Sequence, residues 1–81
     1  MWNVILLNDD YTEMDFVTMV LKSIFKKSDQ EAVAIMIEIH TKGLAVAGTY
    51  TFEVAETKQF ETIELARRHQ FPLMALVQEV K

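Results

Sequence analysis

The sequence predicts an α+β fold in which three helices pack on one small three-stranded antiparallel sheet. Its 81 residues are about the size of one domain, and 51% of them are hydrophobic, which is enough to bury a core. Apolar residues recur at strand spacing in three short segments and at helix spacing in three longer ones. The order is β-α-α-β-α-β, with no repeat or linker, so we expect residues 1–81 to form a single domain.

The first strand and the first helix are separated by a polar turn. Residues 2–7 are apolar on both faces and rich in strand formers, which indicates a buried strand. The turn-forming residues 8–11 end that strand. Thr12 is expected to cap a helix over residues 13–26, because acidic side chains follow it in the first helical turn.

The second helix has strong signals at both ends. Ser28 and Glu31 have the spacing of a capping box, in which each side chain bonds the other residue's backbone N–H. Gly43 can adopt the left-handed conformation that commonly ends a helix, so this helix is expected to end near Lys42.

The second half of the chain predicts a strand, a helix and a final strand. Residues 44–51 are small, β-branched or aromatic, as in strands, and residues 52–70 return to helical spacing. Phe71 and Pro72 are expected to stop the helix, because a residue before proline avoids the α conformation. Residues 73–80 alternate well enough to form the third strand.

Composition excludes several classes of protein. There are no cysteines, so a disulfide framework and a thiolate zinc site are impossible, and a reducing cytoplasm is the expected location. The net charge of −4 argues against binding to nucleic-acid backbones. The longest apolar runs are far shorter than the ~20 residues that span a bilayer, and the first residues do not have the pattern of a signal peptide, so we expect none. The expected partners are therefore proteins or peptides, without nucleic acid or membrane.

A polar cluster is the strongest candidate for a binding site. Asn8, Asp9 and Asp10 follow the first strand, and His40 lies on the same face of the second helix as Met36. Carboxylates, an amide oxygen and a neutral imidazole nitrogen beside an apolar hollow would suit a cation. The alternative is an ordinary turn rich in Asn and Asp beside a half-buried histidine, and spacing alone leaves both interpretations open.

An enzyme is not indicated. A carboxylate–histidine metal site or base pair could be imagined at Asp9, Asp10 and His40, but no metal-binding spacing of histidines supports it. No cysteine or serine lies in a nucleophile motif, and two glycines cannot build a phosphate-binding loop. We therefore expect no catalytic residue, no metal and no cofactor.

Four stretches of the sequence resemble one known family in the same order along the chain. They are VILLNDDYTEMDFV at residues 4–17, IMIEIH at residues 35–40 followed by Gly43, EVAETK at residues 53–58, and Pro72-Leu73. Together they resemble the ClpS family, the bacterial and plastid adaptors of the N-degron pathway. The resemblance covers nearly the whole chain and favours a bacterial origin over a plastid one.

The resemblance implies a function and a set of residues. The domain would bind proteins that begin with Leu, Phe, Tyr or Trp and pass them to a ClpA- or ClpC-type AAA+ unfoldase for proteolysis. It implies that Asn8, Asp10 and His40 hold the substrate's α-ammonium group. The pocket for the first side chain would be lined by Thr12, Met14, Val17, Met36, Ile39 and Leu73, with Asp9 at the rim. Glu53 and Lys58, with His40 nearby, would contact the N-terminal domain of the unfoldase. We expect the adaptor to act as a monomer.

Three positions depart from the family pattern. Glu13 replaces the usual proline, and since an acid in the first turn also starts a helix well, we expect no loss of function. Ile39 replaces the usual valine, and the extra methylene is expected to disfavour Trp most. The first strand starts at residue 2, so the family's flexible N-terminal extension is expected to be missing, which would affect delivery and not recognition.

Met14 and His40 add two expectations on specificity. Met14 at the mouth should exclude β-branched first residues, whose stiff side chains cannot turn away from it. His40 must accept a hydrogen bond, so binding should weaken as the pH falls through the range in which imidazole becomes protonated. The alternative function is a structural protein–protein module, similar to the C-terminal domain of the ribosomal stalk protein, which would not distinguish free from blocked amino termini.

Overall fold

The computed structural model describes all residues from 1 to 81 and has the predicted order of elements. The strands and helices are β1 (Trp2–Leu7), α1 (Met14–Ser23), α2 (Asp29–Lys42), β2 (Leu44–Tyr50), α3 (Phe52–Arg68) and β3 (Met74–Glu79). The prediction of three helices and a three-stranded antiparallel sheet is thus confirmed. None of the three helices combines the length and the apolar character that crossing a membrane requires.

The sheet has the strand order β2-β1-β3, with both pairs antiparallel. The middle strand, β1, is the apolar segment that the sequence predicts to be buried, and its residues Val4, Ile5 and Leu6 are indeed buried. Leu7 at its end faces Leu44 on β2 and Met74 on β3. The polar turn that follows Leu7 therefore starts from the central strand of the sheet, between β2 and β3.

The helices cover one face of this sheet. Val4 and Leu6 point toward them and are completely buried, in a core of 15 residues that also includes four residues of α1. The fully buried residues that the neighbouring strands contribute to this face are alanines, such as Ala45 and Ala75, while Tyr50 and Val77 are partly buried there. Because alanine side chains are short, α2 and α3 can pack close to the sheet, α2 against β2 and α3 against β1 and β3.

The first helix differs from its prediction at both ends. Its N-cap residue is Glu13, not Thr12, and no side chain caps it, because the Thr12 hydroxyl donates to Asp9 instead. It ends three residues earlier than predicted. Lys26 adopts a left-handed conformation with φ 57°, which turns the chain out of the helix, and the Lys27 N–H donates to the Leu21 carbonyl at 3.0 Å.

The second helix begins and ends as predicted. The Ser28 hydroxyl accepts from the Glu31 N–H at 3.2 Å, and the Glu31 carboxylate accepts from the Ser28 N–H at 3.1 Å. The bond from the Ser28 N–H lowers the pKa of the Glu31 carboxyl. Gly43 ends the helix with φ 91°, a value that a residue with a side chain adopts only with strain.

The third helix ends at Arg68, two residues before the predicted end. His69 is its C-cap, and Gln70 has a left-handed φ of 61°. The predicted proline signal is therefore close to the true end, but the chain leaves the helix before it reaches Phe71 and Pro72.

Candidate functional site

A small hollow lies at the end of β1, between the start of α1 and the second half of α2. Its volume is about 200 Å³, which is below the range of about 300–1,000 Å³ typical of sites for drug-sized ligands and cofactors. Nine residues line it, namely Asn8, Asp9, Asp10, Thr12, Met14, Val17, Met36, Ile39 and His40. The structure thus brings together in one place the polar turn and the helix face that the sequence suggests.

Two backbone features bring the turn and α2 together. The Asn8 N–H donates to the Gly43 carbonyl at 2.9 Å. Gly43 is also the left-handed residue that ends α2, three residues after His40. This bond therefore ties the beginning of the turn to the end of the helix that carries His40.

The turn itself is held by the carboxylate of Asp9. Its Oδ1 accepts from the N–H groups of Tyr11 at 2.8 Å and Thr12 at 2.7 Å, and its Oδ2 accepts from the Thr12 hydroxyl at 2.7 Å. Partial burial alone would raise the pKa of Asp9, but these bonds outweigh it and lower the pKa below its ordinary value. The three hydrogen bonds between Asp9 and residues 11–12 are called the Asp9 brace below.

The other polar groups of the hollow are not used within the chain. No side-chain hydrogen bond of the protein involves the Asn8 amide, the Asp10 carboxylate or the His40 imidazole. The two ion pairs join other residues, so the charge of Asp10 has no partner. An amide oxygen, a carboxylate and an imidazole nitrogen can all accept hydrogen bonds, so together they suit a ligand that carries several N–H donors and a positive charge.

The inner wall of the hollow is apolar. Val17 and Ile39 are buried, Met36 is half-buried, and Met14 lies exposed at the rim. Methionine side chains are flexible, so the two methionines can adapt to groups of different shape. The hollow therefore combines polar acceptors at one side with space for one apolar side chain at the other.

Three residues expected at functional surfaces lie elsewhere. Leu73 does not line the hollow, because it precedes β3 on the side that faces the helices and is buried in the core. Glu53 is exposed in the first turn of α3. Lys58 is half-buried, its ammonium group donates to the Ile24 carbonyl at 2.6 Å, and it lies 5.8 Å from the ring of Tyr50.

The hydrogen bonds of Asp9 and Thr12 within the turn were not predicted from the sequence. Both were expected to face the ligand, and both line the hollow, but their polar atoms bond to each other and to the backbone of the turn. The signal was present, since an Asp side chain at the start of a turn commonly accepts from N–H groups two and three residues later.

No three His, Cys, Asp or Glu side chains are placed so that they could hold a metal ion. The acceptors of the hollow can bond the N–H groups of an organic cation directly.

A comparison with protein families gives one match over residues 1–76, to ATP-dependent Clp protease adaptor protein ClpS. Relatives include the ATP-dependent Clp protease adapter proteins ClpS of Phenylobacterium zucineum and Caulobacter vibrioides. They are 49% and 48% identical over 79 residues, and each alignment covers 98% of this chain and 72% of the relative.

The fold is also similar to that of a solved structure, Agrobacterium tumefaciens ClpS2 bound to L-phenylalaninamide. The two share 40% sequence identity with a TM-score of 0.91, over 95% of this chain and 93% of the other. Both the sequence and the fold therefore match the same group of proteins.

Proposed function

Since the chain belongs to the ClpS family of Clp protease adaptors, which are not enzymes, we propose that its hollow binds the amino-terminal residue of substrate proteins. The α-ammonium group would be held by Asn8, Asp10 and His40, and a Leu, Phe, Tyr or Trp side chain would enter the apolar part. The observation that supports this most is the set of three unused acceptors at the edge of a hollow the size of one side chain.

The ligand of the solved relative has the chemistry that this proposal requires. L-Phenylalaninamide carries a free α-ammonium group, a phenyl side chain and an amide where a peptide chain would continue. It is therefore the smallest mimic of a polypeptide that begins with Phe. Its binding to a protein 40% identical to this chain supports the same ligand class here.

The free energies explain why both parts of the ligand are needed. Burial of a Leu or Phe side chain contributes about 1.5–3 kcal/mol. Each hydrogen bond to a charged group contributes about 1.5–3 kcal/mol. Association alone costs about 4 kcal/mol or more, so only the sum of both parts reaches a micromolar affinity, which corresponds to about −8 kcal/mol. An internal Phe lacks the ammonium group, and an N-terminal Ala lacks the side chain.

Titration of a fluorescent peptide that begins with Phe tests this proposal. Acetylation of its α-amine should abolish measurable binding, and Asp10→Asn should weaken binding at least about tenfold, the equivalent of one hydrogen bond to a charged group. Asp15→Asn is the matched control, because Asp15 is an exposed acid of α1 that does not line the hollow. Equal binding of the acetylated peptide, or equal losses for both variants, would contradict the proposal.

We also propose that bound substrates pass to the N-terminal domain of a ClpA- or ClpC-type unfoldase through the first turns of α3. Glu53 is exposed and available for such a contact, whereas the Lys58 ammonium already bonds a carbonyl of its own chain. Glu53 should therefore contribute more than Lys58. Glu53→Lys should prevent binding to the isolated unfoldase domain, and Glu61→Lys, an exposed site on the same helix, should not. Equal binding by both variants would exclude this surface.

A further inference from the structure

Methionine supplies all of the sulfur in this chain, which has five methionines and no cysteine. Peroxides oxidise the thioether sulfur to a sulfoxide, which turns a flexible apolar side chain into a polar one. The reaction requires that the sulfur be accessible to solvent. Four of the five methionines are between 36% and 64% exposed, namely Met1, Met14, Met19 and Met74. A peroxide in solution can therefore reach most of the sulfur of this protein.

Met14 differs from the other exposed methionines in its position. It is the first residue of α1 and lines the hollow together with Val17 and Met36. Its side chain is 47% exposed at the rim, whereas Val17 is buried and Met36 is half-buried. The other three exposed methionines do not line the hollow. Met14 is thus the most exposed side chain of the apolar wall, and it carries an oxidisable sulfur.

The side chains around Met14 offer few hydrogen bonds to a sulfoxide oxygen, which can only accept them. The hydroxyl closest to Met14 in the sequence is that of Thr12, and it already donates to the Asp9 carboxylate at 2.7 Å. The buried residues of the apolar wall have no donor in their side chains. The remaining side-chain donors of the hollow belong to Asn8 and His40, at its polar side. A sulfoxide at the rim would therefore depend on water for its hydrogen bonds.

We propose that Met14 is a modification site, at which oxidation by a peroxide weakens the binding of amino termini. This inference rests on the proposed function, because it concerns the part of the hollow that would hold the first side chain of the substrate. A thioether packs well against aliphatic and aromatic groups. The sulfoxide instead loses water when an apolar side chain covers it. Burial of a polar group without a partner weakens binding about 5- to 150-fold, and we expect the lower end, because Met14 lies at the rim.

The reaction requires only a hydroperoxide, of which hydrogen peroxide is the simplest. The sulfur attacks one oxygen of the peroxide, a sulfur–oxygen bond forms, and the oxygen–oxygen bond breaks. The proton on the transferred oxygen passes to the departing hydroxide, so the products are the sulfoxide and water. The sulfur is oxidised by one electron pair, which reduces the peroxide. Methionine sulfoxide reductases reverse the change, with a dithiol that is oxidised to a disulfide while the oxygen leaves as water.

Met74 provides a matched control for Met14. Its side chain is 49% exposed, nearly the same fraction as that of Met14, so a peroxide should reach both sulfurs equally well. Met74 is the first residue of β3 and does not line the hollow. Oxidation of Met74 therefore has the chemistry of an exposed methionine without any change in the wall of the hollow.

Titration with a peptide that begins with Phe, before and after treatment with hydrogen peroxide, tests the proposal. Mass spectrometry of proteolytic fragments assigns the added oxygen to each methionine. The treated wild type should bind the peptide at least about fivefold more weakly, and a methionine sulfoxide reductase should restore its affinity. Met74→Leu should show the same loss on treatment. Met14→Leu, whatever its affinity before treatment, should keep that affinity afterwards.

Several results would overturn the proposal. Unchanged affinity of the wild type after Met14 is oxidised would do so, as would an equal loss of affinity in Met14→Leu. A loss of the helical circular dichroism signal on treatment would assign the effect to unfolding and would also overturn it. Failure of the proposed function looks different, because the untreated wild type would then not distinguish the Phe peptide from its acetylated form, and the inference would fail with it.

Discussion

The Asp9 brace predicts that a residue without a direct bond to the ligand controls affinity. Asp9→Ala removes three hydrogen bonds at 2.7–2.8 Å that order the turn carrying Asp10. Thr12→Val removes one of them and keeps the shape of the side chain, and Thr12→Ser keeps the hydroxyl. If the brace matters through the order of the turn, affinity should fall with the number of bonds lost.

The expected magnitudes follow from the ordered fraction of the turn. Water replaces bonds in a half-exposed turn, so we take about 1 kcal/mol for the hydroxyl bond and about 2 kcal/mol for all three. We take the ordered turn of the wild type to be more stable than the disordered turn by 0 to about 1 kcal/mol. The fraction of molecules with an ordered turn then falls about five- to fifteenfold in Asp9→Ala and about two- to threefold in Thr12→Val. The apparent affinity falls by the same factors, and Thr12→Ser should bind like the wild type.

Isothermal titration calorimetry with a peptide that begins with Phe measures these differences, and Asp9→Asn separates the brace from simple charge attraction. If Asp9 acted through its charge on the ligand, Asp9→Asn would match Asp9→Ala, its effect would fade at high salt, and Thr12→Val would bind like the wild type. That combination of results would refute the role of the brace.

Further outcomes are expected. His40→Phe should weaken the binding of the same peptide at least about tenfold, because it removes one acceptor for the charged amino group. The Asp9 brace should lose its contribution to the free energy of unfolding only in acid: the pKa of Asp9 is lowered, so this contribution is complete above the unfolded value near 3.9 and is lost as the pH falls through the lower folded value. Ile39→Val should improve the binding of Trp relative to Phe by roughly tenfold at most, as measured by competition, and an unchanged ratio would show that Ile39 does not limit pocket size. Glu13→Pro should raise the free energy of unfolding in urea by about 0.4–1 kcal/mol, because Glu13 has φ −66°, the value that proline fixes; a loss of stability would contradict this.

Local signals in the sequence predicted the features that depend on local chemistry. The capping box of Ser28 and Glu31 and the left-handed Gly43 need only their own neighbours, and both occur as predicted. The predicted end of α1 was wrong, because the residue in the left-handed conformation after this helix is a lysine and not a glycine. A lysine carries no local signal for this conformation, because residues with a side chain adopt it rarely.

Features that depend on which face of the sheet meets the helices could not be predicted. In β3 the small residue Ala75 lies between the larger Met74 and Leu76, and size alone would place the larger two inside. Instead Ala75 faces the helices and Leu76 faces outward. The same choice of face buries Leu73 in the core and removes it from the expected wall of the hollow.

Glu13 stands where the resemblance to the family leads us to expect proline, in a turn that hydrogen bonds hold at both ends. The Asn8 N–H bond to Gly43 fixes the start of the turn, and Asp9 fixes its end through Thr12. Glu13 then adopts a proline-like φ without a ring, so proline would add stiffness to a conformation already specified by hydrogen bonds. Specificity for a free amino terminus would thus depend on these few bonds, because they set the position of Asp10 relative to His40, whereas the apolar part of the hollow is set by the core.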